Sequence, residues 1–319
     1  MKFDIFYQLP ASSTQNTAER YRELIAEAVE ADRLGFNAVW LAEVHFAPHF
    51  STMPAPMLLL AAIAAKTQRL RMGLAVNLLP LHHPLQIAEE TATLDVISGG
   101  RAEFGAGRGA FPLNYRGYGV DIESSRELFE EGLELIKSAW TEERVTFHGK
   151  HFQAEGIEVV PKPVQRPNPP IRLAANSPDT FRFAGHHGYP IFGGGPGNPI
   201  PVLGERLELY KRALAEAGRI APPDWLAGLA MVFAGRDKAS VRAAVEPSLR
   251  NYFRSVAEIA EPQTLVPQFQ EEFEKARNRL LTMQYGNCGR HDGRVWRPAI
   301  LRRPDRGTEQ SIRFRPPGM

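Results

Sequence analysis

Residues 71–105, RMGLAVNLLPLHHPLQIAEETATLDVISGGRAEFG, decide how the rest of the chain is read. Residues 71–79 form an apolar, β-rich run. After His83-Pro84 the apolar residues recur at helical spacing as far as Ile97, Ser98-Gly99-Gly100 stops the helix, and residues 101–105 return to a strand. Strand, crossover helix and strand make the unit of a parallel sheet. The same unit recurs outward in both directions. Upstream, strands are expected at residues 2–8 and 38–44, with helices at 17–34 and 54–66. In the first helix Leu24, Ile25, Ala28 and Leu34 lie mostly opposite Glu23, Glu27 and Glu30, and Gly35 supplies a C-cap. Downstream, a helix at 124–140 is followed by a hairpin-like excursion at 145–160 and a Pro-rich connector. Strands at 171–175, 190–192 and 225–234 then alternate with helices at 179–186, 202–217 and 237–254. Seven such units favour an α/β chain closed into a (β/α)8 TIM barrel over an open doubly wound sheet.

The eighth strand–helix unit is expected to be missing or aberrant. From Asn287 onward the chain is rich in Arg, Gly and Pro, with eight arginines, no lysine and no apolar run long enough for another unit. The expected organisation is a barrel domain at residues 1–286, with an insert at 145–170, and a disordered or aberrant tail at 287–319. The chain has 319 residues, 43% hydrophobic and 23% charged, which suffices for one large core. A net charge of +2 gives no reason to expect a nucleic acid or a membrane as partner. The N-terminus lacks a continuous apolar run of the signal-peptide kind, no stretch reaches bilayer length, and the location expected is cytoplasmic. Cys288, the single cysteine, excludes an intramolecular disulfide and a cysteine-based metal site.

In a barrel the chemistry sits at the C-terminal ends of the strands and in the loops after them. Those places hold Glu43, His45 and His49; Asn77, His82 and His83; the glycine-rich FGAGRGAFPLNYRGYG; and AANSPDT. Gly105, Gly107 and Gly109 do not fit a dinucleotide fold, because no helix is expected before about Glu123. They suit a backbone that passes close to a flat or bulky ligand, with Arg108 as a phosphate partner or an ordinary ion-pair residue. Asn176, Ser177 and Thr180 start a helix and present amides to an anion, or simply cap it. His45 and His49 are four apart, but Pro48 breaks the helix a metal pair of that spacing needs, and no metal site is expected. His45 reads as structural or functional, His49 as structural, and His82 and His83 as loop residues. The Gly193–Gly197 run reads as a mobile loop.

Taken together, VWLAEVHF (39–46), GLAVNLLPLHHP (73–84), LDVISGGRAEFGAGRG (94–109), YGVDIESSRELFEEGLELI (118–136) and RLAANSPDT (172–180) resemble the bacterial luciferase-like flavin-dependent monooxygenases, in the family's order, over residues 1 to about 253. The resemblance implies a barrel that binds reduced FMN, with Arg108, Arg126, Asn176, Ser177 and Thr180 around its phosphate. It also implies that Ala75-Val76 meets the flavin ring at a strained, often cis, peptide, and that Gly107 stands where luciferase has a cysteine near the reactive carbon. The implied reaction uses O2 to insert one oxygen atom into a small organic substrate, with reduced flavin supplied by a separate NAD(P)H-dependent reductase. Phe46, Phe50, Met53, Leu78, Leu79, Phe111 and Tyr115 are candidates to wall the substrate pocket. A deazaflavin-dependent hydride transfer and a non-catalytic flavin-binding subunit are the alternatives, and a homodimer through barrel helices stays open. Luciferase has two adjacent histidines in the first motif. Here the first position is Val44 and only His45 remains, so His45 is the catalytic candidate while light emission is not expected.

Overall fold

A computed structural model of the chain describes residues 2–10, 16–194 and 200–259, and residues 274, 275, 277, 278, 281, 290, 291, 294 and 295. The elements run β1 (Asp4–Tyr7), α1 (Thr17–Leu34), β2 (Ala38–Leu41), α2 (Pro56–Ala64), β3 (Arg71–Leu74), β4 (Asn77–Leu78), α3 (Pro84–Ser98), β5 (Ala102–Gly107), α4 (Pro112–Tyr118), α5 (Ser125–Thr141), β6 (Val145–His148), β7 (Gln153–Ile157), β8 (Ile171–Ala174), α6 (Pro178–His187), β9 (Ile191–Gly193), α7 (Ile200–Glu216), β10 (Leu226–Gly228) and α8 (Lys238–Ile259). Two further short strands, β11 (Arg290–His291) and β12 (Arg294–Val295), pair with each other. The rest of the expected tail, Cys288 and Gly195–Gly197 lie outside the described residues.

The main sheet has the order β1-β2-β3-β5-β8-β9-β10, with β4 paired to β5, and every pairing in it is parallel. Helices between consecutive strands cover its outer face, as parallel strands require. The sheet curls strongly. Trp40 on β2 meets Phe192 on β9 edge-on at 4.8 Å, although three strands separate them in the sheet. Small residues make room for this pair: a Cβ at Gly73 would lie 2.7 Å from the Trp40 ring, and one at Gly105 would lie 3.0 Å from the Phe192 ring. At the strand N-termini, Lys2 just before β1 pairs with Asp224 just before β10 at 2.8 Å. The two edge strands therefore approach each other at that end. Among the described residues no eighth strand joins them.

Two apolar clusters flank this interior. One packs β1, β2 and β3 on α1 and α2 around Leu24, Leu41, Leu60 and Met72. The other packs β5, β8 and β9 on α3, α5, α6 and α7, with Trp140 edge-on to Phe104 at 5.0 Å. Helix ends follow the sequence signals. Asn16 caps α1 through the amide of Ala18, and Gly35 and Gly99 close α1 and α3 in the left-handed conformation. The expected strand at 71–79 is interrupted after Leu74 by a cis peptide at Ala75-Val76. The strand expected at 225–234 pairs only over Leu226–Gly228, and Leu229, Met231, Val232 and Phe233 stand exposed.

The hairpin β6–β7 is antiparallel, as the excursion at 145–160 suggested. Its turn is pinned to α5 rather than left as a loose flap: the Glu131 carboxylate accepts the amides of Lys150, His151 and Phe152 at 3.1, 2.9 and 2.7 Å. A buried carboxylate anchors the connector in the same way. Asp95 of α3 accepts the amide and side chain of Gln165, at 2.9 and 2.7 Å, and the amide of Ala102 at 3.3 Å. Asp95→Ala strands three donors in a fully buried place, and a cost of about 2–4 kcal/mol is expected. A urea midpoint unchanged from that of the native protein would show that the connector does not depend on it.

Candidate functional site

After β2 the chain turns at the strand's C-terminal end through Ala42, Glu43, Val44 and His45. Glu43 and His45 are two apart, so extended backbone sends both side chains the same way, while Val44 points into the core and is 4% exposed. The Glu43 carboxylate is the centre of a buried group. One oxygen meets His45 Nε2 at 2.8 Å and also His82 Nε2; the other accepts the Leu78 amide at 3.0 Å. His82 arrives from a 3-10 turn at Leu79–Leu81. Burial works to raise the Glu43 pKa, but hydrogen bonds from His45 and His82, the charge of His82 and the Leu78 amide hold it below the ordinary carboxylate range. Burial works to lower His82, and the hydrogen bond to Glu43 with the charges of Glu43 and Glu90 raise it instead.

The sequence reading left His82 as a loop residue and, with Glu43 noted beside His45, expected no metal site there. The structure corrects the first point. The three donor atoms lie within 4.8 Å of one another, a set of the kind that can hold a metal ion. However, ligands around a zinc ion at about 2.0 Å stand roughly 3.3 Å apart, whereas His45 Nε2 and Glu43 are 2.8 Å apart. That is a hydrogen bond, and the group shares protons.

A second correction concerns α4, because no helix was expected before about Glu123. Pro112 and Gly119 are its boundary markers: Pro112 is the first helical residue and Gly119 the left-handed C-cap. Gly117 admits the Phe46 ring, which a Cβ would meet at 2.1 Å. This short helix links the two halves of the site. At its end, the Tyr118 hydroxyl lies 3.1 Å from His45 Nδ1. Within it, the Tyr115 hydroxyl donates to the Arg108 carbonyl and also bonds Ser125, the first residue of α5.

Arg126 follows Ser125. Its guanidinium pairs with Glu130 at 2.8 Å and reaches Asp179 of α6 at 3.8 Å. Ser177 caps α6, accepting the Thr180 amide at 3.3 Å, and its hydroxyl meets that of Thr180 at 2.9 Å. Asn176 sits just before it, exposed. The N-termini of α5 and α6 therefore come together, with Arg126, Ser177 and Thr180 around them and Arg108 joined through Tyr115. Gly107, at the end of β5, pairs with Leu78 and packs beside Val76, with Ala75 next to it in sequence. A Cβ on Gly107 would fall 2.5 Å from Val76 and 3.3 Å from Ala174, so only a bare backbone fits there.

Of the expected pocket walls, Phe50 and Phe111 meet edge-on at 5.8 Å, and Phe46 stands half exposed 5.9 Å from His45. Leu78 and Tyr115 share one small cluster, while Met53 and Leu79 belong to the two main cores. His83 caps α3 through the Leu85 amide. A cleft of about 500 Å3 between α6 and α7 includes Arg126, Arg182 and Arg212 but none of the residues around His45. It opens on the outer side of the barrel, and the buried acid–base group marks the chemistry better than that cleft does. Glu43, His82, Asn114 and Tyr118 were not singled out as functional from sequence. The spacing of Glu43 and His45 was the available signal for the first.

A curled parallel sheet with polar groups gathered at the strand C-termini defines an α/β barrel, a fold whose ligand sites lie at that end. The profile of the luciferase-like monooxygenase family matches residues 1–312, and the chain belongs to that family. It is 35% identical over 191 residues to the oxygenase component of a flavin-dependent trigonelline monooxygenase from Acinetobacter baylyi, covering 59% of this chain and 52% of that protein. It is 35% identical over 199 residues to an F420-dependent glucose-6-phosphate dehydrogenase from Kineococcus radiotolerans, covering 60% and 56%. The chain thus matches little more than half the length of these two relatives. Among solved structures, monooxygenase RslO1 from Streptomyces bottropensis superposes with a TM-score of 0.77 at 25% identity, over 88% of this chain and 90% of that one. No helix among the described residues is long and apolar enough to cross a membrane.

The sign of the His82 shift fixes a pH effect. A raised folded pKa contributes stability that is complete below the unfolded value of about 6.5 and is lost as pH rises through the folded value. Relative to His82→Gln, the native protein should lose stability over that window and run parallel to the variant above it. Urea midpoints across the window measure this; curves parallel throughout would mean that His82 is uncoupled from Glu43.

Proposed function

We propose that this protein is the oxygenase of a two-component flavin-dependent monooxygenase. It takes reduced FMN from a separate NAD(P)H-dependent reductase in the cytoplasm and uses O2 to insert one oxygen atom into a small organic substrate. The observation that carries this reading is the bare backbone at Gly107, walled by Val76 and Ala174, on a strand end of the same sheet whose other ends carry the buried acid–base group and the α6 N-terminus.

The residues present fit a flat, phosphorylated cofactor. Arg108, Arg126, Asn176, Ser177 and Thr180 would hold the phosphate, where two helix N-termini add their amides. Ala75, Val76 and Gly107 would border the ring. Asn77, next in sequence to Val76, leaves room for a polar group of the cofactor, and Asn114 of α4 for one of the substrate. Both are 1% exposed, and the Asn77 Oδ1 and both polar atoms of the Asn114 amide have no partner among the described residues. Buried polar atoms are ordinarily paired, so unpaired ones invite a ligand. Bound reduced flavin supplies the electrons and the centre at which oxygen reacts. The protein anchors, orients and excludes water, and His45, held by Glu43, holds or moves a proton.

A reduced deazaflavin acting as hydride donor is the second reading, favoured by the identity to the F420-dependent relative. Oxygen uptake with supplied reduced FMN separates the two. Uptake coupled to an oxygenated product is expected, and uptake that never couples across aldehydes, ketones and aromatic compounds would sink the monooxygenase reading. The anchoring set is tested by Arg108→Ala. It should weaken FMN about tenfold or more by fluorescence titration, with the circular dichroism of the native fold. Unchanged affinity would remove Arg108 from the phosphate site.

A further inference from the structure

The inference rests on the pocket assignment above and concerns what the pocket takes. Because Glu43 is held ionised, its carboxylate can only accept, so the Nε2 atoms of both His45 and His82 donate to it. In the tautomer that donates through Nε2, the remaining nitrogen of His45, Nδ1, is an acceptor, and the Tyr118 hydroxyl 3.1 Å away can donate to it. In that arrangement the lone pairs of the Tyr118 oxygen stay open to a ligand, at a residue 44% exposed. Carboxylate, imidazole and hydroxyl stand in the order that activates a hydroxyl oxygen as a proton acceptor.

The geometry points to Tyr118 as the residue that takes a proton from the hydroxyl of a planar, aromatic substrate, with His45 and Glu43 behind it. The ligand O–H bond breaks and an O–H bond forms on Tyr118, while the original Tyr118 O–H breaks and an N–H forms at His45 Nδ1. One proton moves from ligand to imidazole, no electrons are transferred, and the imidazolium faces Glu43. Burial, and the charge of Glu43, raise the Tyr118 phenol above its ordinary value, so it keeps a proton to pass on. The ionisable groups facing this chain are Glu43 beside His45, His82 from the 3-10 turn, and Glu90 of α3 acting on His82.

Two observations specify the ligand. Phe46 is half exposed 5.5 Å from the Tyr118 ring, a pair of aromatic faces that a flat ring would cover. Asn114 shares the Tyr118 face of α4 at i, i+4 spacing. Its buried amide, unpartnered at both polar atoms among the described residues, can engage a second polar group on that ring.

The test uses the full chain without flavin, and 4-nitrophenol as the probe at one unit below the phenol's own pKa. Native protein should bind it with the absorption of the phenolate. Tyr118→Phe should bind it with that band lowered about tenfold or more, and His45→Gln should lower it likewise. Imidazole nitrogen NMR should show His45 Nδ1 as an unprotonated acceptor that shifts in Tyr118→Phe. A phenolate band retained in Tyr118→Phe, native binding without the band, no binding of the phenol, or a protonated Nδ1 in the native protein would each overturn the assignment. Any of these with reduced-FMN binding and oxygen uptake intact leaves the flavin reading standing.

Discussion

The Glu43 side chain is 3% exposed, and a carboxylate so placed costs several kcal/mol unless its oxygens are hydrogen-bonded. Here each oxygen is satisfied, and the partners come from two pieces of chain: His45 from beyond β2, and the Leu78 amide and His82 from the stretch through β4 and the 3-10 turn. One buried charge thereby fixes the end of β2 against the irregular chain after β3. The positions of His45, Tyr118 and Phe46 follow from that fixing. Removing any partner would leave the carboxylate short of a bond in a place water does not reach.

Most of the barrel was legible because its signals are local. The helix at Thr17–Leu34 and the one at Pro84–Ser98 carry their own caps and periodicity, and both were placed to within a residue. What escaped was non-local or depended on direction. Pro112, Gly117 and Gly119 are breakers when counted, but a helix start, a packing gap for Phe46 and a helix end when placed. The interruption after Leu74 leaves no trace in the apolar run itself and was expected only through the family resemblance at Ala75-Val76, while the extent of β10 depends on a neighbour rather than on its own residues.

The site divides the same way. The residues proposed to hold the phosphate announce themselves through a cap motif and arginines near helix starts, and Arg126 of α5 reaches Asp179 of α6 beside Ser177 and Thr180. The buried group does not announce itself, since His82 lies 37 positions beyond His45 in a stretch that reads as a loop. Tyr118 was hidden for a simpler reason: it belongs to the helix that was not expected. Nor did Val44 leave the acid–base end empty, for Glu43, His82 and Tyr118 surround the histidine that remains.

Helix α4 is seven residues long, and it touches both halves of the site: the Arg108 carbonyl through Tyr115, and His45 through Tyr118. Two turns of helix are too short to bend within themselves, so a displacement at one end would be felt at the other. Occupancy at one end and protonation at the other are then linked functions of a single position. By thermodynamic reciprocity, whatever anion binding does to the proton affinity of His45, protonation of His45 does in equal measure to anion affinity. The cofactor anchor and the acid–base group are, in that sense, two handles on one lever.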